Sequence, residues 1–282
     1  MNTFTDPLSL FLGGDAPRAI VIGSGFGGLA AATWPITGHT GKSTESALDD
    51  PAFNLKAFVK LIGALDEAPV YDLIRGSVYA LVPGRPAQPL FRTLGAGVAS
   101  YSQTSALEYR SESRYVGMLL DWNSDALLKK WDNPLNGASC DVPVTRYGPG
   151  GSSIQPGRIV PDGFPIDESS AGIWPWFRLG DSVHMTRAVL QESVAHPLFP
   201  KADLMTYNGD WRLMMDDAVL RMPSRLNFSA VESWRPWMQM GEDDPTGTLW
   251  WHVSGAKLTS ADAYPLGVKT LLTNLAPDFF SN

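Results

Sequence analysis

Cysteine is almost missing. Cys140 stands alone in 282 residues, which excludes a disulfide within the chain and leaves a lone thiol whose ordinary role is that of a small packed side chain. Histidine is scarce as well, with four residues and no His-x-His or His-x-x-x-His spacing, so the ligand pattern of a zinc-type site is lacking. Charged side chains make up only 18% of the chain, and the net charge of −7 comes without any Lys/Arg cluster, which argues against a nucleic-acid partner. No apolar run approaches the ~20 residues that span a bilayer. The chain also lacks a Gly-x-Ser-x-Gly elbow, a Ser-x-x-Lys pair and a recognisable Cys/His frame, so covalent nucleophilic catalysis has no support.

Turn formers and tryptophan are abundant. The 27 glycines and 22 prolines exceed the roughly 12% of an average soluble chain. Four of the ten tryptophans fall in two neighbouring stretches, Ser233-Trp-Arg-Pro-Trp-Met-Gln-Met-Gly241 and Thr248-Leu-Trp-Trp-His-Val-Ser-Gly-Ala-Lys-Leu258. Side chains of this size stay ordered only in a packed wall or a ligand pocket, and each buried indole N–H needs an acceptor.

Residues 1–46 read as an N-terminal extension and residues 47–282 as a single domain. Within the extension, Ala19-Ile-Val-Ile-Gly-Ser-Gly-Phe-Gly-Gly-Leu-Ala-Ala-Ala32 resembles the first strand–helix turn of flavoproteins, where glycines bring backbone against a pyrophosphate. Pro35 and the following glycines stop the helix early, and no second strand with a terminal acidic residue follows. The stretch is therefore read as a truncated remnant, a secretory leader ending at Ala30-Ala-Ala32, or a surface strand, and the expected cofactor is none. A flavin-dependent oxidoreductase built on these residues stays as an alternative. Gly38-His-Thr-Gly-Lys-Ser43 has the wrong register for a phosphate loop.

From Asp49 onward the pattern is orderly. Asp49 or Asp50 caps a helix with Phe53, Leu55, Phe58, Leu61, Ile62 and Leu65 at three- and four-residue spacing. Short strand-like segments follow, separated by turn residues such as Asn133-Pro-Leu-Asn-Gly137. Residues 148–172 read as a long loop, Leu213–Met215 as a strand, and Thr259-Ser-Ala-Asp262 as the cap of a last helix running through Leu272. Eight to ten consecutive strands with a helix at each end predict a mainly β fold, an antiparallel lipocalin-like (calycin-like) β-barrel that is closed or nearly so. A barrel of that size either fills with side chains or holds one small ligand.

The residues of this body carry a family resemblance. Asp50-Pro-Ala-Phe-Asn-Leu-Lys56, Trp131-Asp-Asn-Pro-Leu-Asn-Gly137, Thr206-Tyr207, the run from Ser233 to Gly241 and His252-Val-Ser-Gly-Ala-Lys-Leu258 make residues 48 to 280 similar to the bacterial and fungal family called domain of unknown function 1838. The resemblance implies boundaries and no activity. Some relatives begin with an export leader, so a cytoplasmic and an exported location both stay open.

Candidate site residues follow from strand alternation. Trp250, His252 and Ser254 share one face, and Leu249, Trp251 and Val253 the other. Both faces are largely apolar, so this strand is expected to be buried on both sides, with Trp250 against a ligand and Trp251 in packing. A buried His252, paired with His184 and assisted by Arg187, is the expected catalytic set for proton transfer. Trp174, Trp176, Trp234, Trp237, Trp250 and Tyr115 are the expected ligand wall. Arg75 and Arg114 are further candidates to hold an oxyanion, and Asp121 and Asp132 are read as turn caps before paired acids. The function expected is the handling of a small hydrophobic molecule, by cofactor-independent isomerase, cyclase or hydratase/lyase chemistry or by binding alone. A homodimer is the expected assembly.

Overall fold

Strand β1 (Val70–Leu81) and strand β12 (Thr248–Leu258) lie side by side although nearly the whole chain separates them. Asp72 stands opposite Lys257, Ile74 opposite Gly255 and Val78 opposite Trp251. The computed structural model describes residues 45–163, 173–191 and 201–280. The glycine-rich turn at 19–32 and the loop at 38–43 lie outside the described residues.

From β1 the chain meanders outward through β2 (Gln88–Ser105) and β3 (Glu108–Asp121) to β6 (Thr145–Gln155) and β7 (Arg158–Pro161), with β4 (Lys130–Asp132) and β5 (Ser139–Asp141) forming a separate hairpin between β3 and β6. It continues through β8 (Trp176–Leu179), β9 (Ser182–Gln191), β10 (Lys201–Asp210) and β11 (Ser224–Glu232) back to β12. The result is one antiparallel ten-stranded sheet in the order β7-β6-β3-β2-β1-β12-β11-β10-β9-β8, curved into a half-barrel. Residues 148–161, expected within a loop, instead lie largely in the β6–β7 hairpin, which turns at Gly157 with φ of 72°. The segment carries Gly148, Pro149, Gly150 and Gly151, and that composition hides a strand from any reading based on apolar alternation.

Three α-helices complete the body among the described residues. In α1 (Pro51–Ile62), Asp50 accepts the Phe53 amide at 2.8 Å as N-cap and Pro51 opens the first turn, where a missing N–H costs nothing. Leu55, Phe58, Val59 and Leu61 are fully buried, packed into the concave side with Tyr109, Ile154, Met185 and Trp211. Asn54, also buried, donates to the carbonyls of Leu48 (2.9 Å) and Trp174 (3.0 Å) and accepts the Trp174 amide, fixing the strand entry where Trp174 stacks on Phe58 at 4.0 Å. The segment Leu213–Met215, expected as a strand, lies in the short helix α2 (Trp211–Met215), because Asp210 accepts both the Arg212 and Leu213 amides. At the C-terminal end, Ser260 caps only a 3-10 turn at Ala261–Ala263, and α3 (Leu266–Leu275) starts after Pro265. α3 and the following Phe279 cover the convex side of β1–β3 over Leu94, Ala96, Val116 and Met118.

Two lysines, Lys60 buried and Lys257 half-buried, finish the helix ends. Lys60 donates to the carbonyls of Met214 and Asp216 at the end of α2. Lys257 donates to those of Lys60, Leu61 and Gly63 at the end of α1, at 3.0, 3.3 and 2.6 Å. Each ammonium thereby satisfies carbonyls that a helix terminus leaves open and sits at the negative end of the helix dipole.

Candidate functional site

Residues paired across an antiparallel ladder share a face, so the register assigns the concave surface. One inward row runs Lys257–Asp72–Gly97–Tyr115 and the next Met185–Tyr207–Leu226–Gly255–Ile74–Gly95–Gly117. The middle of this surface is floored by glycine. A Cβ on Gly97 would strike the Asp72 carboxylate, one on Gly95 the Tyr115 hydroxyl, and one on Gly255 the Ile74 side chain. The three side chains lie over the bare backbone, which a methyl group at any of these positions would block.

Asp72 is half-buried, and burial raises its carboxyl to about 6, against which a hydrogen bond from the Gly97 backbone pulls only in part. Three tyrosines of the same face feel its charge. Burial, followed by the charges of Tyr207 and Asp72, raises the Tyr101 phenol well above its ordinary value. Burial and then Asp72 push Tyr115 up to about 12, with Arg235 opposing. Tyr207 is raised by burial, lowered by Arg187 and raised by Asp72. At neutral pH the phenols are hydrogen-bond donors and Asp72 is largely ionised with a proton affinity unusual for a carboxylate. Lys257, although next to Asp72 in the register, turns its amine to the carbonyls at the end of α1; burial lowers it to about 7, with the Asp66 charge opposing.

The far end of the concave face is closed by the tryptophan run. Glu232, 5% exposed, accepts the Trp251 indole N–H and the Arg235 Nε–H on the same oxygen, both at 2.7 Å. The Arg235 guanidinium lies 4.7 Å above the Trp251 ring. Behind it Asn133 donates to the Met238 carbonyl at 2.8 Å, and Asn136 donates to the Gln239 carbonyl and to Asp244, both at 2.9 Å. The Asn-Pro turn is therefore the clamp of the tryptophan run. It holds Gln239 in a left-handed conformation (φ 55°) and places Trp234 and Trp237 against Phe91 and Trp131.

The residues expected from sequence separate into three groups. Tyr115 and Arg187 face the concavity, Arg187 in the row Arg187–Met205–Phe228–Val253. Trp174, Trp176, Trp234 and Trp237 pack at its two ends, Trp174 and Trp176 around α1 and the other pair in the clamp. The buried indole N–H groups of Trp174, Trp176 and Trp237 meet no acceptor among the described residues. His252, His184 and Trp250 lie on the convex side. The expectation that β12 is buried on both faces is corrected here: His252 and Ser254 are exposed, because α3 covers only the other end of the neighbouring strands. Trp250 packs beside Tyr79 at 5.4 Å and donates to Ser229 on the convex face, while Trp251 is on the concave one. His184 stacks on Phe177 at 4.8 Å and its imidazole is lowered by burial. It is three strands from His252 in the sheet order, roughly 14 Å at the usual strand spacing, too far for a shared proton.

Arg75 is exposed and pairs with Asp125, and Arg114 is on the convex side opposite Val98. Asp121 accepts the Asn123 and Ser124 amides as a turn cap. Cys140 is buried with its thiol pushed up by burial. A cleft of about 280 Å³ beside Tyr71, Val98, Phe279 and Phe280 is also on the convex side, away from Asp72. Among the described residues no three His, Cys, Asp or Glu side chains gather as a metal site, and no helix is long and apolar enough to cross a membrane. The sequence reading passed over Asp72, Tyr101, Tyr207, Glu232 and Arg235. The available signal was a carboxylate inside the apolar strand Val70-Tyr-Asp-Leu-Ile74, which the fold sets opposite Gly95-x-Gly97 on the adjacent strand.

No curated protein matches this chain. Residues 68–282 match the family described as protein of unknown function (DUF1838), a span that takes in every strand and begins after α1, and the chain belongs to that family.

Proposed function

We propose that the concave face takes a small, mainly apolar molecule, in the manner of a lipocalin-like barrel, and moves a proton on it without a cofactor. Asp72 is the base. It takes a proton from a carbon next to a carbonyl, the electron pair moves onto the carbonyl oxygen, and a phenol of Tyr115 or Tyr207 donates a hydrogen bond to that oxygen. Returning the proton to a different carbon completes an isomerisation, with no net oxidation and no group transferred. The observation that carries the reading is the Asp72 carboxyl, packed against the Gly97 backbone on the concave face and raised by burial to about 6, with three phenols of that face that feel its charge. A base with that affinity is matched to carbon acids near neutral pH, and apolar surroundings strengthen hydrogen bonds to a developing oxyanion.

Deuterium incorporation into a panel of enolisable cyclic ketones in D2O, followed by mass spectrometry, tests this reading. The wild type accelerates exchange of at least one ketone with a rate rising through pH 6. Asp72→Asn lowers that rate by roughly 10²–10⁴, the usual share of a positioned base. Equal exchange by wild type and variant sinks the assignment, and stoichiometric binding with no exchange in either leaves a binding protein.

A further inference from the structure

We propose that Arg235 is the anchor for an uncharged oxygen of the molecule that the concave face holds, and that Glu232 sets this preference. The inference rests on the reading of that face as a ligand site and adds the class of ligand: an elongated apolar compound with a ketone, ester or amide carbonyl at the end away from Asp72.

The donors of the guanidinium are unequally used. Its Nε is given to Glu232 Oε1 at 2.7 Å, and Nη2 reaches Glu232 Oε2 only at 3.4 Å. Nη1 meets no acceptor among the described residues and is not among the fully enclosed polar atoms. The side chain is 29% exposed against 6% for Glu232, so one edge of the fork is buried and the other open. The arginine is not free to wander. Trp251 stacks beneath it, and the same Glu232 oxygen is fixed by the Trp251 indole N–H. Both Glu232 and Trp251 are inward positions of their strands, the guanidinium lies over the Trp251 ring, and its charge is felt by Tyr115 of the concave face, which puts the guanidinium on the concave side.

Charge decides what the open edge takes. Glu232 already balances the guanidinium, so a permanent carboxylate brought there would be a second anion beside a buried one, and like charges at short range in partly buried surroundings repel strongly. A carbonyl oxygen accepts the Nη1 proton without adding charge, and a hydrogen bond to a charged donor is the strong kind. The Trp251 face below suits an apolar chain leading away from the carbonyl.

Three probes of one shape test this: benzylacetone, a ketone; hydrocinnamate, its carboxylate counterpart; and butylbenzene, which has no acceptor. Their binding to the full chain is measured by tryptophan fluorescence and calorimetry. The wild type binds benzylacetone at least tenfold more tightly than hydrocinnamate and more tightly than butylbenzene. Arg235→Met, which keeps the stacking volume, lowers benzylacetone affinity about tenfold, the effect of losing a charge-assisted hydrogen bond, and leaves butylbenzene unchanged. Glu232→Gln, which frees the arginine's charge, shifts preference toward hydrocinnamate by about tenfold, and it keeps the test alive if Arg235→Met does not fold. Equal loss of ketone and hydrocarbon in Arg235→Met, or an unaltered ketone-to-carboxylate ratio in Glu232→Gln, overturns the anchor while the ligand site stands. Failure of all three probes to bind the wild type overturns the ligand site itself and the anchor with it.

Discussion

Replacing Asp72 by asparagine should make this protein more stable, and only above a defined pH. The folded carboxyl sits at about 6 against an ordinary value of 3.8, with burial as the first cause. A raised carboxyl contributes most when it is protonated in both states. That contribution is complete below about 3.8 and is lost as pH rises through about 6. At 1.36 kcal/mol per pH unit the gap amounts to about 3 kcal/mol at most, and the partial solvent contact of Asp72 makes it an upper bound. Asparagine has nearly the same shape, carries no charge and can still accept the Gly97 hydrogen bond, so it escapes this cost. A gain of 2–4 °C per kcal/mol applies to a body of this size, so Tm should rise by roughly 6–12 °C at pH 7 and by almost nothing at pH 4. Thermal melts of both proteins by circular dichroism from pH 4 to 8 provide the measurement. A gain that is the same at every pH would mean that shape or hydrogen bonding, and not ionisation, separates the two side chains. A loss of stability at pH 7 would mean that the carboxylate is better solvated or paired than its surroundings imply, and the base assignment would go with it. The combined outcome, higher Tm with lower exchange activity, is the exchange of stability for function expected of a buried ionisable group that works.

Two other outcomes follow from the same geometry. Lys257→Met leaves the carbonyls of Lys60, Leu61 and Gly63 without their shared donor. Unsatisfied buried acceptors cost about 1–3 kcal/mol each, so the urea midpoint should fall by more than the loss of one surface lysine allows; an unchanged midpoint refutes the capping role. His252→Ala and His184→Ala, on the convex face, should leave ketone exchange and its pH profile as in the wild type; loss of exchange in either returns the proton transfer to histidine.

Much of the fold was legible because it depends on local chemistry. Asp50-Pro51 starts α1 at the expected cap, the alternating strands from Val70 onward follow their apolar pattern, and the run of short segments between turn residues pointed to a mainly β chain. The misreadings have separate causes. Gly148 to Gly151 build a strand from residues whose contribution is their lack of side chains, so no periodicity betrays it. Leu213–Met215 has strand-like apolar content, and a single carboxylate, Asp210, turns it into a helix by accepting two amides. The Asn-Pro turn and the tryptophan run both stood out in sequence, but that one clamps the other is a contact between residues more than a hundred positions apart.

The site was the least legible part because tryptophan density and histidine are poor guides to which side of a sheet is enclosed. Alternation correctly divided Trp250 from Trp251, yet the strand looks apolar on both faces, and only the placement of α3 on the convex side decides which face meets water. His252 and Asp72 therefore trade places. The histidine, set between Ser77 and Ser229 on the convex face, is solvent-exposed, whereas the aspartate is an ionisable group that the curvature encloses. What marks Asp72 is the absence of a side chain across from it at Gly97, a pairing fixed by register between β1 and β2. A carboxylate packed against a glycine in the middle of a concave sheet, with no cation among the groups that set its proton affinity, is left to burial, and burial is what raises it.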